Sequence, residues 1–210
     1  MTSVTRRRAY DNGRRAAATE EKLLSSVERL LHAGNSFTDI SVQRIIEEAG
    51  VSRATFYAYF EDKSDILKRL AIRVRETSLS LAQQWDPGAG EDGAARYARF
   101  FEEILALHRT HHPVLTALRE VAAYDTQIRD FYTADLEEFD EAVFSTLREQ
   151  QQSGATPSDL DATAASRIIV WGGAQAIAHH ITVDDGSGDA ALARELGMIW
   201  WYGAYRRPPG

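Results

Sequence analysis

The side chains with the clearest chemical meaning lie in one short run, residues 51–63 of a 210-residue chain. Thr55 offers a hydroxyl and a methyl group, which can read base edges in the major groove of DNA. Arg53, Tyr57 and Tyr59 offer donors suited to phosphate oxygens, and such contacts position a protein on DNA without reading its sequence. The run therefore predicts a surface that contacts double-stranded DNA.

Two short helices are needed to place these side chains. In the first, apolar residues at positions 42, 45, 46 and 49 follow the spacing of one buried helix face, and Ser41 precedes them as N-cap. Gly50 comes where a helix C-terminus favours a positive φ, and Ser52 can cap the second helix. The pattern predicts a helix-turn-helix.

The second helix is predicted to expose one face. Phe56 and Phe60 lie four residues apart and point inward, while Val51 and Phe56 form a hydrophobic staple. Ala54 and Ala58 lie on the outer face, where small side chains would let the helix backbone approach the bases. The alternative is a pair of ordinary core helices whose aromatic residues only pack.

The run from Gly50 to Phe60, followed by residues 62–67, resembles the signature of the TetR family of transcriptional repressors. The resemblance implies that these residues approach DNA: Arg53, Ala54, Thr55, Tyr57, Tyr59 and Lys63. It also implies contacts to the DNA backbone from Thr38, Ser41 and Arg44. Tyr59 replaces the His usual in the family, and this Phe-Tyr-x-Tyr-Phe variant resembles the ethionamide-resistance regulator subgroup. Asp62 can cap the next helix and so present the backbone N–H of Lys63 to a phosphate.

Charge is spread unevenly along the chain. The net charge is −7, but residues 1–70 carry 12 Lys/Arg against 10 Asp/Glu, whereas residues 71–210 carry 12 against 21. The positive end coincides with the predicted helix-turn-helix. Five arginines within the first 15 residues predict a flexible arm that reaches phosphates or a minor groove, with a merely solvated tail as the alternative.

The rest of the chain predicts an all-α protein of nine helices, because helical periodicity persists and no strand-like alternation does. The first helix is predicted from Ala16 to Ala33. The fourth, from Lys63 to Trp85, would bridge the DNA-binding end to a C-terminal helical bundle. We therefore divide the chain into residues 1–62, the arm and DNA-binding domain, and residues 63–210, the bridging helix with an effector-binding and dimerisation bundle.

The last two helices, predicted over residues 159–181 and 189–206, favour contact with a second subunit. Small residues at positions 172, 173, 174 and 176 permit close helix approach, and bulky apolar residues at positions 198–202 cover nearly all sides of the final helix. In the family that the chain resembles, these two helices form a four-helix dimer interface. The sequence therefore predicts a homodimer.

Aromatic residues on several bundle helices predict a pocket for a small molecule. The candidate effector contacts are Phe100, Phe101, Ile104, Tyr124, Phe131, Phe139 and Trp171. Each of them also fits an ordinary core position. Their composition favours an apolar or aromatic effector.

The chain shows no sequence signature of catalysis or of a metal site. His108 and His112 have the i, i+4 spacing that can chelate a metal, but no carboxylate completes a ligand set and histidines near a helix C-terminus are favoured by its carbonyls. Cysteine is absent, as are a phosphate loop and a dinucleotide fingerprint. We expect no enzyme activity, no cofactor and no metal.

These expectations combine into a ligand-responsive repressor that an effector releases from a palindromic operator. No run of 18 apolar residues and no signal peptide is found, so we expect a cytoplasmic protein with no membrane contact. Two other classes fit the same chain less well. One is a helical-bundle carrier or enzyme without specific DNA binding, and the other is an adaptor that uses the same face for protein contacts.

Overall fold

A computed structural model describes the backbone of residues 3–84 and 92–208, and the side chains of residues 13–82, 84 and 92–208. All regular structure within these ranges is helical, which confirms the all-α prediction. The side chains of Arg6, Arg7 and Arg8, and the predicted end of the bridging helix at Trp85, lie outside the described residues.

Ten α-helical segments follow one another along the chain. They are α1 Ser3–His32, α2 Val42–Ala49, α3 Arg53–Tyr59, α4 Lys63–Gln83, α5 Gly93–Thr110, α6 His112–Ala122, α7 Thr126–Gln152, α8 Ala162–Arg167, α9 Gly173–Val183 and α10 Asp189–Trp200. A π-helical turn, Ile168–Gly172, joins α8 to α9, and another, Trp201–Tyr205, extends α10. With α8 and α9 counted as one continuous helix, the described residues contain the nine predicted helices.

The first helix begins earlier than predicted. The backbone from residue 3 to residue 15, which the sequence suggested as a flexible arm, forms the first turns of α1. Alanine and arginine are strong helix formers, and they dominate residues 14–18, so the single Gly13 is tolerated within the helix.

The first of two compact units contains residues 1–72 and 113–129. Its buried residues come from every helix in it, including Leu23 of α1, Ile45 of α2, Phe56 of α3 and Leu67 of α4. Helix α6 belongs to the same unit, although it lies far along the sequence, and it buries an apolar face that includes Leu118. The predicted division at residues 62 and 63 separates regions by role, and it stays a prediction.

The second unit contains residues 73–112 and 130–210. Its core lies where α5 packs against α9 and α10, with an aromatic cluster of Tyr97, Phe101, Trp200 and Tyr205. Close packing depends on Gly197, because a Cβ added there would lie 2.7 Å from the backbone nitrogen of Ala98.

A charged pair links α4 to α7 inside this second unit. The Nε atom of Arg75 lies 3.3 Å from Oδ1 of Asp135, and both atoms are buried without a hydrogen bond, while Arg75 Nη1 donates to Glu138 at 2.9 Å. Loss of solvent raises the pKa of Asp135 to about 6, although the charge of Arg75 opposes that shift. The attraction of Arg75 therefore only partly offsets the cost of burying the ionised carboxylate of Asp135.

Substitution of Gly197 by Ala should destabilise the second unit. The added methyl group would meet backbone atoms of α5 that cannot rotate away, so we expect a loss of about 1–3 kcal/mol of unfolding free energy. Gly13→Ala is the control, because no atom lies within 4 Å of a Cβ built at Gly13. Urea unfolding of both variants measures the difference, and equal stabilities would contradict the packing described for Gly197.

The charged pair predicts a pH dependence of stability. The folded pKa of Asp135 is about 6, above an ordinary unfolded value of about 3.9. The native state therefore favours protonated Asp135, and this contribution is lost as pH rises through the folded pKa. Relative to the wild type, Asp135→Asn should gain stability between about pH 4 and pH 7 and then level off. Urea unfolding across that range tests this, and a difference that does not vary with pH would refute it.

Candidate nucleic-acid interface

Helix α2 and the turn after it are built as the sequence predicted. The hydroxyl of Ser41 accepts a hydrogen bond from the backbone N–H of Arg44 at 3.1 Å. Gly50 has φ 58° and ψ 44°, the left-handed conformation that glycine adopts most easily. The N–H groups of Gly50 and Val51 donate to the carbonyls of Glu47 and Ile46, which closes the end of α2.

Helix α3 is capped and anchored on one side. Ser52 accepts the N–H of Thr55 at 3.0 Å, and the two hydroxyl oxygens lie 2.8 Å apart. Phe56 and Phe60 are completely buried, with ring centroids 5.8 Å apart. Burial of these rings fixes the rotation of α3 about its axis, and therefore fixes which side chains face outward.

The outward face carries the residues predicted to contact DNA. Arg53, Ala54 and Ala58 are exposed, and Tyr57 keeps 47% of its surface accessible, while Thr55 and Tyr59 are half-buried. The guanidinium carbon of Arg53 lies 5.5 Å from the centre of the Tyr57 ring, and an Arg53 Nη atom lies 3.4 Å from the Tyr57 hydroxyl. We call these two side chains the Arg53–Tyr57 pair.

Lys63 holds the loop between α1 and α2. Its ammonium group donates to the backbone carbonyls of Phe37, Thr38 and Ile40, at 3.1, 2.9 and 3.2 Å, and lies over the Phe37 ring. The sequence predicted a DNA contact for Lys63 and gave no sign of this use of its side chain. The Asp62 carboxylate accepts the N–H of Asp65 at 2.8 Å, as expected of a cap for α4.

The remaining predicted contacts to the DNA backbone lie before and within α2. Ser41 and Arg44 are exposed. Thr38 is also exposed, but its hydroxyl donates to Glu120 at 2.6 Å and lies 2.9 Å from the hydroxyl of Tyr124. Sequence reasoning missed Glu120, because no local pattern reports a contact between residues 82 positions apart.

The residues predicted to bind an effector belong to both compact units. Phe101 and Ile104 are buried in the core of the second unit, with the partly buried Phe100 packed against them. Phe131 and Phe139 are half-buried on α7. Tyr124 belongs to the first unit, beside Thr38. Trp171, in the π-helical turn after α8, is 39% exposed.

Trp171 lines a groove of about 520 Å³ between α7 and the segment formed by α8 and the π-helical turn after it. Helix α7 contributes the Phe144 ring and the carboxylates of Glu137, Asp140 and Glu141. One Asp140 oxygen is buried without a hydrogen bond. The groove thus combines aromatic surface with three carboxylates and one guanidinium, that of Arg167 on α8.

A second polar cluster ties the loop between α9 and α10 to α5. Ligand atoms of His180, Asp184 and Asp189 lie within 4.8 Å of one another, a spacing that could hold a metal ion. The Asp189 carboxylate, however, binds the Arg109 guanidinium through both oxygens, at 2.6 and 2.9 Å, and these hydrogen bonds lower its pKa. Because the fixed charge of Arg109 opposes a bound cation, we assign this cluster a structural role.

Comparisons with known proteins agree with this geometry. Residues 29–70 match the family model described as bacterial regulatory proteins, tetR family. The HTH-type transcriptional regulator EthR of Mycobacterium tuberculosis is 25% identical over 167 residues, which cover 77% of each chain. These matches support a TetR-family, DNA-binding transcriptional regulator rather than an enzyme.

Solved structures of other TetR-type regulators share the fold. The regulatory protein TetR of Rhodobacter sphaeroides is 22% identical, with a TM-score of 0.63 over 85% of this chain and 96% of that one. A transcriptional regulator of Saccharomonospora viridis in complex with choline is 20% identical, with a TM-score of 0.67 over 91% of this chain and all of that one. Within the residues searched, no helix has the length and apolar character needed to cross a membrane.

Proposed function

We propose that this TetR-family regulator is a homodimeric, cytoplasmic repressor that binds a palindromic operator and is released by a small apolar or aromatic effector. The observation that carries the DNA-binding part is the exposed face of α3, held outward by the burial of Phe56 and Phe60. Two copies of that face, one per subunit, would enter successive major grooves about one helical turn apart.

Each part of the face has its own role in the proposed contact. Thr55 and Ala54 would meet base edges. The hydroxyl and methyl groups of Thr55 suit direct readout, and the small side chain of Ala54 lets the helix backbone approach the bases. The Arg53–Tyr57 pair and Tyr59 would bind phosphates. Further phosphate contacts would come from Ser41 and Arg44, and from the backbone N–H of Lys63, a first-turn donor that has no partner within its own helix. Thr38 stays a predicted contact, but its hydroxyl donates to Glu120 and its N–H to Ser36 in this structure.

The last two helices offer a surface for a second copy of the chain. Ile168, Ile199 and Tyr202 are 67%, 60% and 52% exposed, an unusual concentration of large apolar side chains. A Cβ built at Gly172 or Gly203 meets no atom within 4 Å, so a partner helix could approach closely there. Within the subunit, by contrast, Gly173 packs under Trp200, and Trp200 and Trp201 are buried.

We propose the groove between α7 and α8 as the effector site. Trp171 and Phe144 provide aromatic surface for an apolar or aromatic molecule, and the three groove carboxylates, which outnumber the single Arg167 guanidinium, would favour positive charge on it. The choline complex of the Saccharomonospora viridis protein is consistent with a small organic ligand in this fold. Effector binding would favour a conformer in which α4 has moved and the two α3 helices no longer match the operator.

Removal of the Arg53 side chain tests the DNA-binding role. Because Arg53 would contact a phosphate, Arg53→Ala should weaken operator binding at least tenfold and lower the slope of log affinity against log salt by about 1 per subunit.

Tyr57→Ala should abolish binding without unfolding the protein, as circular dichroism would show. Arg148→Ala is the matched control, since Arg148 is an exposed cation on α7. Fluorescence anisotropy with labelled DNA from the region upstream of the protein's own gene measures the binding affinity of all three variants.

Operator affinity that is unchanged in both Arg53→Ala and Tyr57→Ala would refute the assignment of the exposed α3 face as the DNA-binding surface. Affinity of the wild type no better than nonspecific, together with tight binding of small molecules, would instead favour a helical-bundle carrier. If Arg53 proved dispensable while a protein partner bound this face, the chain would be an adaptor.

A charge placed on the proposed dimer surface should separate the subunits. Ile199→Asp would bury an unpaired carboxylate between the two copies, so we expect monomers at micromolar concentration and a large loss of operator affinity. Ala142→Asp places the same charge on an exposed position of α7 and serves as the control. Sedimentation velocity gives the masses, and an Ile199→Asp protein that stays dimeric would place the interface elsewhere.

A further inference from the structure

The loop between α1 and α2 leads into the proposed DNA surface and is held in part by two backbone hydrogen bonds of its own, from Asp39 to Ser36 and from Ile40 to Phe37. It contains Thr38 and leads into Ser41, the N-cap of α2. Lys63 secures its backbone through three carbonyls. Its hydroxyl groups are secured separately, from a different part of the chain.

One carboxylate oxygen of Glu120, on α6, accepts both loop hydroxyls. Ser36 donates to it at 2.9 Å and Thr38 at 2.6 Å. The Ser36 hydroxyl oxygen also accepts the backbone N–H of Thr38, at 3.2 Å. Glu120 therefore fixes two adjacent points of the loop at once, one on each side of the buried Phe37.

Tyr124 completes the arrangement. Because the Thr38 hydroxyl gives its proton to Glu120, the Tyr124 hydroxyl is the donor in the 2.9 Å contact with Thr38. The Tyr124 side chain, two residues after the end of α6, is 59% exposed, so it stands at the surface beside Thr38.

Helix α6 is a firm support for these contacts. Val114, Ala117, Leu118 and Val121 are buried, and α6 lies in the same compact unit as the helix-turn-helix. Charge-assisted hydrogen bonds from a side chain on a packed helix hold a loop more firmly than bonds within the loop itself. The support comes from outside residues 29–70, the segment that matches the family model.

We propose that Glu120 is a positioning residue for operator binding, and that with Tyr124 it makes α6 a required part of the DNA-binding surface. Glu120 does not touch DNA in this account. It holds the loop, and with it the N-terminus of α2 that carries Ser41 and Arg44, where α2 can meet the phosphates. The proposal rests on the proposed function, since it assumes that this surface binds an operator.

The charge of Glu120 makes the proposal sharply testable. A carboxylate near the DNA backbone repels phosphates, so its removal on electrostatic grounds alone would strengthen binding. Its removal as a positioning group would weaken binding instead. Glu120→Ala removes both the charge and the two acceptor bonds, whereas Glu120→Gln removes the charge and keeps an oxygen that can accept both hydroxyls.

The first measurement needs no DNA. Hydrogen–deuterium exchange of peptides covering residues 33–44 should speed up in Glu120→Ala, stay near the wild-type rate in Glu120→Gln, and stay unchanged in Glu102→Ala, an exposed glutamate on α5 used as control. Equal exchange in the wild type and Glu120→Ala would overturn the proposal, whatever the protein binds.

The second measurement uses operator DNA selected with the wild-type protein. Glu120→Ala should weaken binding about tenfold, as expected for the loss of two hydrogen bonds, with an unchanged slope against salt because no cation is removed. Glu120→Gln should bind within twofold of the wild type, or more tightly. Affinity that is unchanged or higher in Glu120→Ala, or equally low in Glu120→Gln, would overturn the positioning role.

The two readouts separate failure of this inference from failure of the proposed function. If the wild type binds no specific DNA, the proposed function fails and the operator role of Glu120 fails with it. If the wild type binds specific DNA while Glu120→Ala changes neither exchange nor affinity, only the inference fails.

Discussion

Burial of Phe56 and Phe60 on one side of α3 is the interaction on which the DNA-binding surface depends. A seven-residue helix has too few backbone hydrogen bonds to be stable alone, so its existence and its orientation both come from packing. The two rings lie one turn apart and are fully enclosed, which leaves no freedom for rotation. The exposure of the Arg53–Tyr57 pair is a direct consequence.

The loop before α2 shows how charges from distant parts of the chain can complete such a surface. A cation from α4 satisfies the carbonyl groups of the loop, and an anion from α6 satisfies its hydroxyl groups. Helix caps at Ser41 and Ser52 then fix the two helix starts. The helix-turn-helix is therefore one part of a larger compact unit that includes residues 113–129.

The features predicted correctly from the sequence are those encoded locally. Capping residues, the left-handed glycine at position 50 and the periodicity of buried residues each depend on neighbours within a turn or two. The early start of α1 was missed because the run of arginines suggested an arm and outweighed helix propensity. The side-chain role of Lys63 was missed because its partners lie more than 20 residues away.

Aromatic composition alone does not distinguish a ligand site from a core, for a related reason. An apolar ring suits a core as well as a pocket, and only packing distinguishes the two. Phe101 lies 4.7 Å from Trp200, ring centre to ring centre, in the core of the second unit, whereas Trp171 lies at an open groove. No local sequence pattern identifies the role of Glu120, because that role depends on the contact between α6 and the loop before α2.

Selection of DNA from a random pool with the purified protein tests the paired outward α3 surface most directly. We expect enrichment of sites with two inverted half-sites, centred about one helical turn, 10 base pairs, or slightly more apart. Recovery of DNA without a shared sequence, or of single half-sites with no inverted partner, would contradict a paired outward α3 surface.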